Sequence, residues 1–319
     1  MIVLYILLFL ILAVLVISYI CFRMAFYASR KPDTGDFPLP EGEIYEQYRD
    51  QMAAFIREAR AMPQEKVEIR SFDGLRLTGK YYEYAPGAPI ELMFHGYRGK
   101  AERDLSGGVQ RCFSLGRSAL IVDQRACGES EGRVITFGLK ESRDCHAWVD
   151  FMIKKFGPDV KIILTGISMG ASTVMLAAGS ELPKNVVGVL ADCGFTSARD
   201  IIQEVIKTMR LPPKLAYPFV QLGARIFGGF NVDADSSVAA MARCKTPIIF
   251  FHGEADAFVP CRMSVENYNA CTSPKRLVTI PGAGHGLGYL VDPETYLKTL
   301  AEFSREHYGI ENCQLKIEN

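Results

Sequence analysis

Between Ile2 and Phe22 the chain carries no charged residue at all. Its other absences also narrow the field. The formal net charge over 319 residues is zero, so there is no electrostatic case for nucleic acid, whose binding needs a clustered basic surface. The nine cysteines stand singly at positions 21, 112, 127, 145, 193, 244, 261, 271 and 313, with no C-x-x-C pair. An odd, scattered set speaks for reduced thiols and against a disulfide framework or a zinc site. No repeat recurs at a fixed period, and no low-complexity tract interrupts the chain. Histidine is scarce, with five residues at 95, 146, 252, 285 and 307. What the chain has in quantity is apolar residues, at 49% against 23% charged. That excludes global disorder, and the length suits one large domain or two ordinary ones.

The uncharged run is long enough to span a bilayer. Its twenty-one residues, rising ~1.5 Å each, cover about 30 Å, one hydrocarbon core. A cleaved signal peptide is the rival reading. Against it, no charged n-region lies beyond Met1, the run exceeds a usual h-region, and no clean small-x-small site follows. Residues 1–23 are therefore expected to be a retained signal anchor. Arg23, Arg30 and Lys31 all follow the run and no Lys or Arg precedes it, which places the C-terminal side in the cytoplasm of a cell-membrane protein. Residues 24–63 read as a Pro-rich linker at 32–41 and an amphipathic helix at 42–61. That helix has Ile44, Tyr45, Tyr48, Met52, Phe55, Ile56 and Ala59 at helical spacing. It either packs on the following domain or lies on the membrane surface.

From residue 64 the apolar period changes to two. Two alternating runs flank Asp73-Gly74, a hairpin signal. Short apolar runs at 90–94, 118–122, 160–165, 186–191, 247–251 and 276–280 then alternate with helical stretches such as 137–156 and 290–307. This pattern predicts an α/β domain over 64–308, with a mostly parallel sheet covered by helices on both faces. Ligands in such sheets sit beyond the carboxyl ends of the strands. The interval 196–244 is too long for one crossover and reads as a small helical lid over that edge; residues 309–319 form a tail.

The segment "KIILTGISMGAST" at 161–173 sets Ser168 between Gly166 and Gly170. A tight turn, a phosphate-cradling loop and an exposed nucleophile compete for it. The phosphate loop fails because no Lys follows Gly170. A strand before and a helix-compatible run after favour a strained elbow that lifts the serine hydroxyl. A serine needs a general base oriented by a carboxylate. His285, in the Gly-rich "IPGAGHGLG" after the last strand, is the candidate base. His146 and His307 fall in helical stretches, and His95 and His252 each end a strand in "FHG" and read as structural corners. For the acid, the loop after the penultimate strand offers Asp256, with Glu254 beside it; Asp192, after the preceding strand, is the runner-up. Asp123 reads as the organiser of a bonded turn with Arg125, Gly128 and Ser130. Two oxyanion donors are expected: the Met169 amide at a helix N-terminus, and the Tyr97 amide in "HGYRG".

Taken together, "HGYRG", "DQRACGES", "GISMG", "HGEADAFVP" and "GAGHG" resemble the alpha/beta-hydrolases in order and spacing. They look most like membrane-anchored bacterial serine hydrolases near the prolyl-oligopeptidase and acylaminoacyl-peptidase relatives. The resemblance implies an eight-stranded sheet and a Ser-His-Asp triad. Ala126 departs from the glycine usual in those relatives. The expectation is a hydrolase of an ester, thioester or amide that uses no metal or organic cofactor. Its substrate would be a small or lipid-like acyl compound. An acyltransferase and a non-catalytic tethered binding module are the alternatives.

Overall fold

The computed structural model describes residues 1–28, 39 and 42–310. Most of the expected linker and the tail beyond Ile310 lie outside the described residues. Three helices open the chain: α1 (Ile2–Ala25), α2 (Glu43–Glu46) and α3 (Arg49–Ala61). β1 (Glu65–Arg70) and β2 (Arg76–Tyr82) form the hairpin, with Gly74 at a positive φ of 88° in its turn. Then follow β3 (Ile90–Phe94), α4 (Ala101–Ser114), β4 (Ser118–Val122), α5 (Glu141–Phe156), β5 (Ile162–Ile167) and α6 (Met169–Ala178). After β6 (Val186–Asp192) the expected insertion folds as α7 (Ala198–Thr208), α8 (Pro213–Ile226) and α9 (Ser237–Met241). β7 (Ile248–Gly253), α10 (Arg262–Ala270), β8 (Lys275–Ile280), α11 (Gly288–Val291) and α12 (Pro293–His307) complete the fold.

The eight strands form one sheet in the order β1-β2-β4-β3-β5-β6-β7-β8. β1 and β2 are antiparallel, and every pairing from β4 through β8 is parallel. Alternation along each strand divides the core in two. Ile90, Leu92, Phe94, Leu120, Ile162, Leu164 and Phe250 face α5, α6 and α9. Met93, Ala119 and Ile121 face α3 and α4, while Ile163, Leu190 and Ile249 face α12. Because both faces are covered, the central strands are largely apolar; β3 is interrupted by Glu91, buried in ion pairs with Arg111 and Arg117.

A third apolar cluster lies beyond the carboxyl edge of the sheet. It joins Phe22 of α1 and Phe26 just after it to Ile201, Ile202 and Ile206 of α7, Tyr217, Val220 and Ala224 of α8, and Met169 at the start of α6. The far end of the apolar N-terminal helix is thus part of the fold's packing, whereas Met1 to Leu12 stand exposed. α1 is long and apolar enough to cross a membrane.

The Asp123 turn forms as a bonded unit, but the Arg125 side chain leaves it to pair with Asp144 and Asp73. The Asp123 carboxylate accepts the amides of Ala101 at 2.9 Å and Glu129 at 2.9 Å, and its main-chain oxygen accepts the Ser130 hydroxyl at 2.7 Å. Ala126 adopts a left-handed φ of 65°, which gives a physical reason for glycine at that place in other chains.

Candidate active site

β5 carries the chain to Ile167 and α6 begins at Met169, so Ser168 alone makes the elbow. It sits at φ 56°, ψ −117°, a conformation that costs about 1–3 kcal/mol in a non-glycine residue. The flanking glycines are required by close approach. A side chain on Gly166 would strike the backbone of Gly170, and one on Gly170 would strike the Phe94 carbonyl at the end of β3. Small residues there let α6 start directly against the sheet, with the serine at its N-terminus.

His285 lies in the loop after β8. Its Nε2 is 3.0 Å from Ser168 Oγ and accepts that hydroxyl's hydrogen; its Nδ1 donates to Asp256 Oδ2 at 2.7 Å. Asp256, in the loop after β7, is buried. Its other oxygen, Oδ1, accepts the amides of Phe258 at 2.9 Å and Val259 at 2.8 Å. Burial alone would push this carboxyl up. The His252 and His285 imidazoles and the Val259 amide more than offset it, and hold the group well below the ordinary carboxylate range.

Asp192 occupies a different place. Its main-chain oxygen accepts the Ser168 amide at 2.8 Å, and its carboxylate accepts the Tyr296 hydroxyl at 2.9 Å. Burial pushes its carboxyl up. The runner-up acid therefore braces the backbone of Ser168, while Asp256 holds the imidazole of His285.

His252, read from sequence as a structural corner, packs against the acid. Its Nε2 donates to the Val259 carbonyl at 2.9 Å and lies 3.3 Å from Asp256 Oδ2, while its Nδ1 accepts the Ser264 hydroxyl at 2.6 Å. Asp256 Oδ2 thus lies between two imidazoles. His95 stays a corner residue: its Nδ1 lies 2.7 Å from the Gly96 carbonyl, and its Nε2 accepts the Gln124 amide at 3.0 Å.

Met169 is buried at the first position of α6, where the unpaired amides of a helix N-terminus favour negative charge. Across from it, Gly96 and Tyr97 line the same cavity as Ser168. The Tyr97 side chain turns away from the site. Its hydroxyl donates to the Ala25 carbonyl at 2.8 Å, and its ring stacks on Phe137 at 5.1 Å. Arg98, at a left-handed φ of 52°, donates to the carbonyls of Met24 at 2.8 Å and Tyr27 at 3.0 Å. The loop carrying Tyr97 is therefore fastened to the C-terminal end of α1.

The cavity beside Ser168 has a volume of about 310 Å³. Tyr45 of α2, Met52 and Phe55 of α3, Met93, Gly107 and Gly108 of the β3–α4 unit, and Leu287 and Leu290 form its apolar walls. Thr165, Arg111 and Asp192 also line it. Tyr45 donates to the main-chain oxygen of His285 at 3.2 Å, and burial, then the Asp256 charge, raise its hydroxyl to about 12. The cover over this cavity comes from α2–α3 and not from the helical insertion, whose residues do not line it. Cys193, Asp256 and His285 offer atoms within 4.8 Å of one another. They fit a metal poorly. His285 Nδ1 is already spent on Asp256, and burial raises the Cys193 thiol well above its ordinary range, away from the thiolate that metals take.

The profile of the Alpha/beta hydrolase family matches residues 92–299. The chain belongs to the alpha/beta hydrolase family. Among curated proteins, the chain is 28% identical over 190 residues to the uncharacterized protein YqkD of Bacillus subtilis, covering 59% of this chain and 62% of YqkD. It is 32% identical over 150 residues to the polyketide transferase ATR5 of Stachybotrys chlorohalonatus, covering 46% of this chain and 48% of that one. Among solved structures, the Pyrococcus furiosus esterase Pf2001 superposes with a TM-score of 0.64 at 23% identity, covering 85% of this chain and 97% of the esterase. At that identity the likeness speaks for the fold alone.

Sequence reasoning on this alpha/beta hydrolase missed the residues that reach the site from outside the sheet. Tyr45, Met52 and Phe55 showed their helical spacing, but spacing does not say what a helix packs against. Arg98 stood inside a quoted motif without a sign of its partner. His252 was visible only as a residue at the end of an expected strand, and lies one residue inside β7; its position i−4 from Asp256 was the available clue.

Proposed function

We propose that this chain is a membrane-anchored serine hydrolase that cleaves an ester, thioester or amide through an acyl-enzyme. The hydrogen-bonded line Ser168–His285–Asp256, with the serine held on a strained elbow, carries this reading. Ser168 Oγ attacks the substrate carbonyl while His285 Nε2 takes its proton. The amides of Met169 and Tyr97 hold the oxyanion, where preorganised donors act most strongly. Collapse returns the proton from His285 to the leaving group and leaves Ser168 acylated. Water, deprotonated by His285, then releases the acid and restores the hydroxyl. Asp256, ionised throughout, orients the imidazole and stabilises its cation. No step calls on a cofactor.

The division of labour along the chain belongs to the same reading. Residues 1–23 anchor it, 24–63 link and cover it, and 64–308 do the chemistry, with the insertion at 196–244 set to one side. Kinship to the membrane-anchored serine hydrolases near the acylaminoacyl-peptidases rests on the five motifs. Retention of α1 is supported by Phe22 and Phe26, which are buried against the insertion. Burying each contributes about 1.5–3 kcal/mol that cleavage would forfeit. The charge bias places the domain in the cytoplasm; protease added to intact cells should leave it uncut, and degradation without lysis would refute that side.

A cavity of about 310 Å³ with mostly apolar walls suits an acyl group. The test is a series of acyl esters of increasing chain length, run on wild type and Ser168→Ala. Turnover should rise and then fall with length, and vanish in the variant. Equal turnover by the variant would end the proposal. A second reading, acyl transfer to an alcohol or thiol, is favoured by the name of the polyketide transferase relative. Product analysis with competing acceptors separates the two.

A further inference from the structure

The helical insertion leaves an apolar, basic face uncovered beside α1. α8 lies along the C-terminal part of α1 and meets it most closely at Gly223, where a side chain would strike the Ser18 carbonyl and Phe22. Phe227 packs edge-on against Tyr19 at 5.1 Å. Small residues at such a crossing are what lets two helices meet in lipid. Ser18 lies four residues, ~6 Å, inside the uncharged run. On the reading of α1 as a membrane span, α8 therefore sits at the depth where interfacial helices lie, ~5–10 Å below the headgroup boundary.

The composition of this face agrees. Met209, Leu211, Leu215 and Ile226 are exposed, Leu215 by 70%. Arg210, Lys214 and Arg225 are exposed among them, and no Asp or Glu occurs from Val205 to Val232; Lys207, at the edge of the face, is paired with Glu204 at 2.9 Å. Scattered apolar residues on a surface need no partner. An apolar and mainly basic face on a helix packed against a 24-residue apolar helix is a different object.

We propose that the outer face of α8 and the α7–α8 corner lie in the interfacial layer of an anionic lipid bilayer, a second membrane contact beside α1. The apolar side chains enter the acyl boundary, and the lysines and arginines meet the anionic headgroups. This rests on the reading of α1 as a membrane span.

The test uses the full chain reconstituted in phosphatidylcholine vesicles, with and without phosphatidylglycerol, whose acyl chains carry bromine. An indole introduced by Leu215→Trp should lose its emission several-fold on brominated lipid. One introduced by Lys154→Trp, at the amino edge of the sheet, should not; the native Trp148 is buried and adds a constant background. Charge reversal by Arg210→Glu with Lys214→Glu should cut the quenching, and cut it most with phosphatidylglycerol present. An unquenched indole at position 215 in protein that floats with the vesicles would overturn the proposal and leave α1 as the sole anchor. The same result with a dimeric mass would assign the face to a second copy. Protein that fails to float would remove the membrane reading altogether. Ester turnover in the same vesicles reports the catalytic reading separately.

Discussion

The two sides of this active site are held in different ways. The triad side hangs from strand ends: Ser168 after β5, Asp256 after β7 and His285 after β8, each fixed by the parallel sheet beneath it. The opposite side leans on the first sixty residues. Tyr45, Met52 and Phe55 wall the cavity, and the carbonyls ending α1 hold Tyr97 and Arg98. A helix long and apolar enough to cross a membrane thus ends as a brace for the loop proposed to hold the oxyanion. The N-terminal segment is part of the domain's packing.

The largest effects should fall on the triad side. Ser168→Ala and His285→Ala should each lower turnover about ten-thousand-fold, and the double variant should do little worse, because the residues act as one unit. Additive losses would break the triad apart. Next comes the acid. Asp256→Asn should cost about a thousand-fold or more in kcat by spoiling the orientation of His285, and Asp192→Asn far less. Reversed sizes would move the acid to the end of β6.

Asp256 also sets a pH signature. Its folded pKa lies below the unfolded value of about 3.9, so its stabilising share is complete above that pH and is lost as pH falls toward the folded value. Denaturant titrations below about pH 4 should therefore show a shallower pH slope in Asp256→Asn than in wild type. Equal slopes would mean that the carboxylate is not held as described.

The N-terminal side should give smaller, more selective losses. Arg98→Ala loosens the Tyr97 loop without touching substrate, so kcat should fall about tenfold with KM nearly unchanged, a fraction of what losing an oxyanion donor costs. An unchanged kcat would show that the α1 contact is idle. Phe55→Ala, on the cavity wall, should raise KM severalfold for the longest acyl esters and leave acetyl esters alone, as one lost apolar contact of about 1 kcal/mol implies. A uniform loss would point to damaged folding.

The same contrast explains what could be read from sequence. β3 and β4 fall on the residues expected, because short apolar runs buried on both faces leave no ambiguity. β5 begins two residues later and ends two later than its apolar run, since Gly166 and Ile167 extend the ladder up to the elbow. The hydrogen-bonded line Ser168–His285–Asp256 was legible because the proposed chemistry demands particular residue types at strand ends. The cavity wall was not, because apolar spacing on α3 names a buried face and leaves its partner open. The insertion announced itself by length, but length does not distinguish a cover over the site from a pack of helices beside α1.

The central claim is that Ser168 becomes acylated. Treating the full chain in detergent with a fluorophosphonate and mapping the adduct by peptide mass spectrometry tests it most directly. The account predicts one adduct, on the peptide carrying Ser168, absent from Ser168→Ala and slowed in Asp256→Asn. An adduct elsewhere, or undiminished labelling of Ser168→Ala, would contradict it.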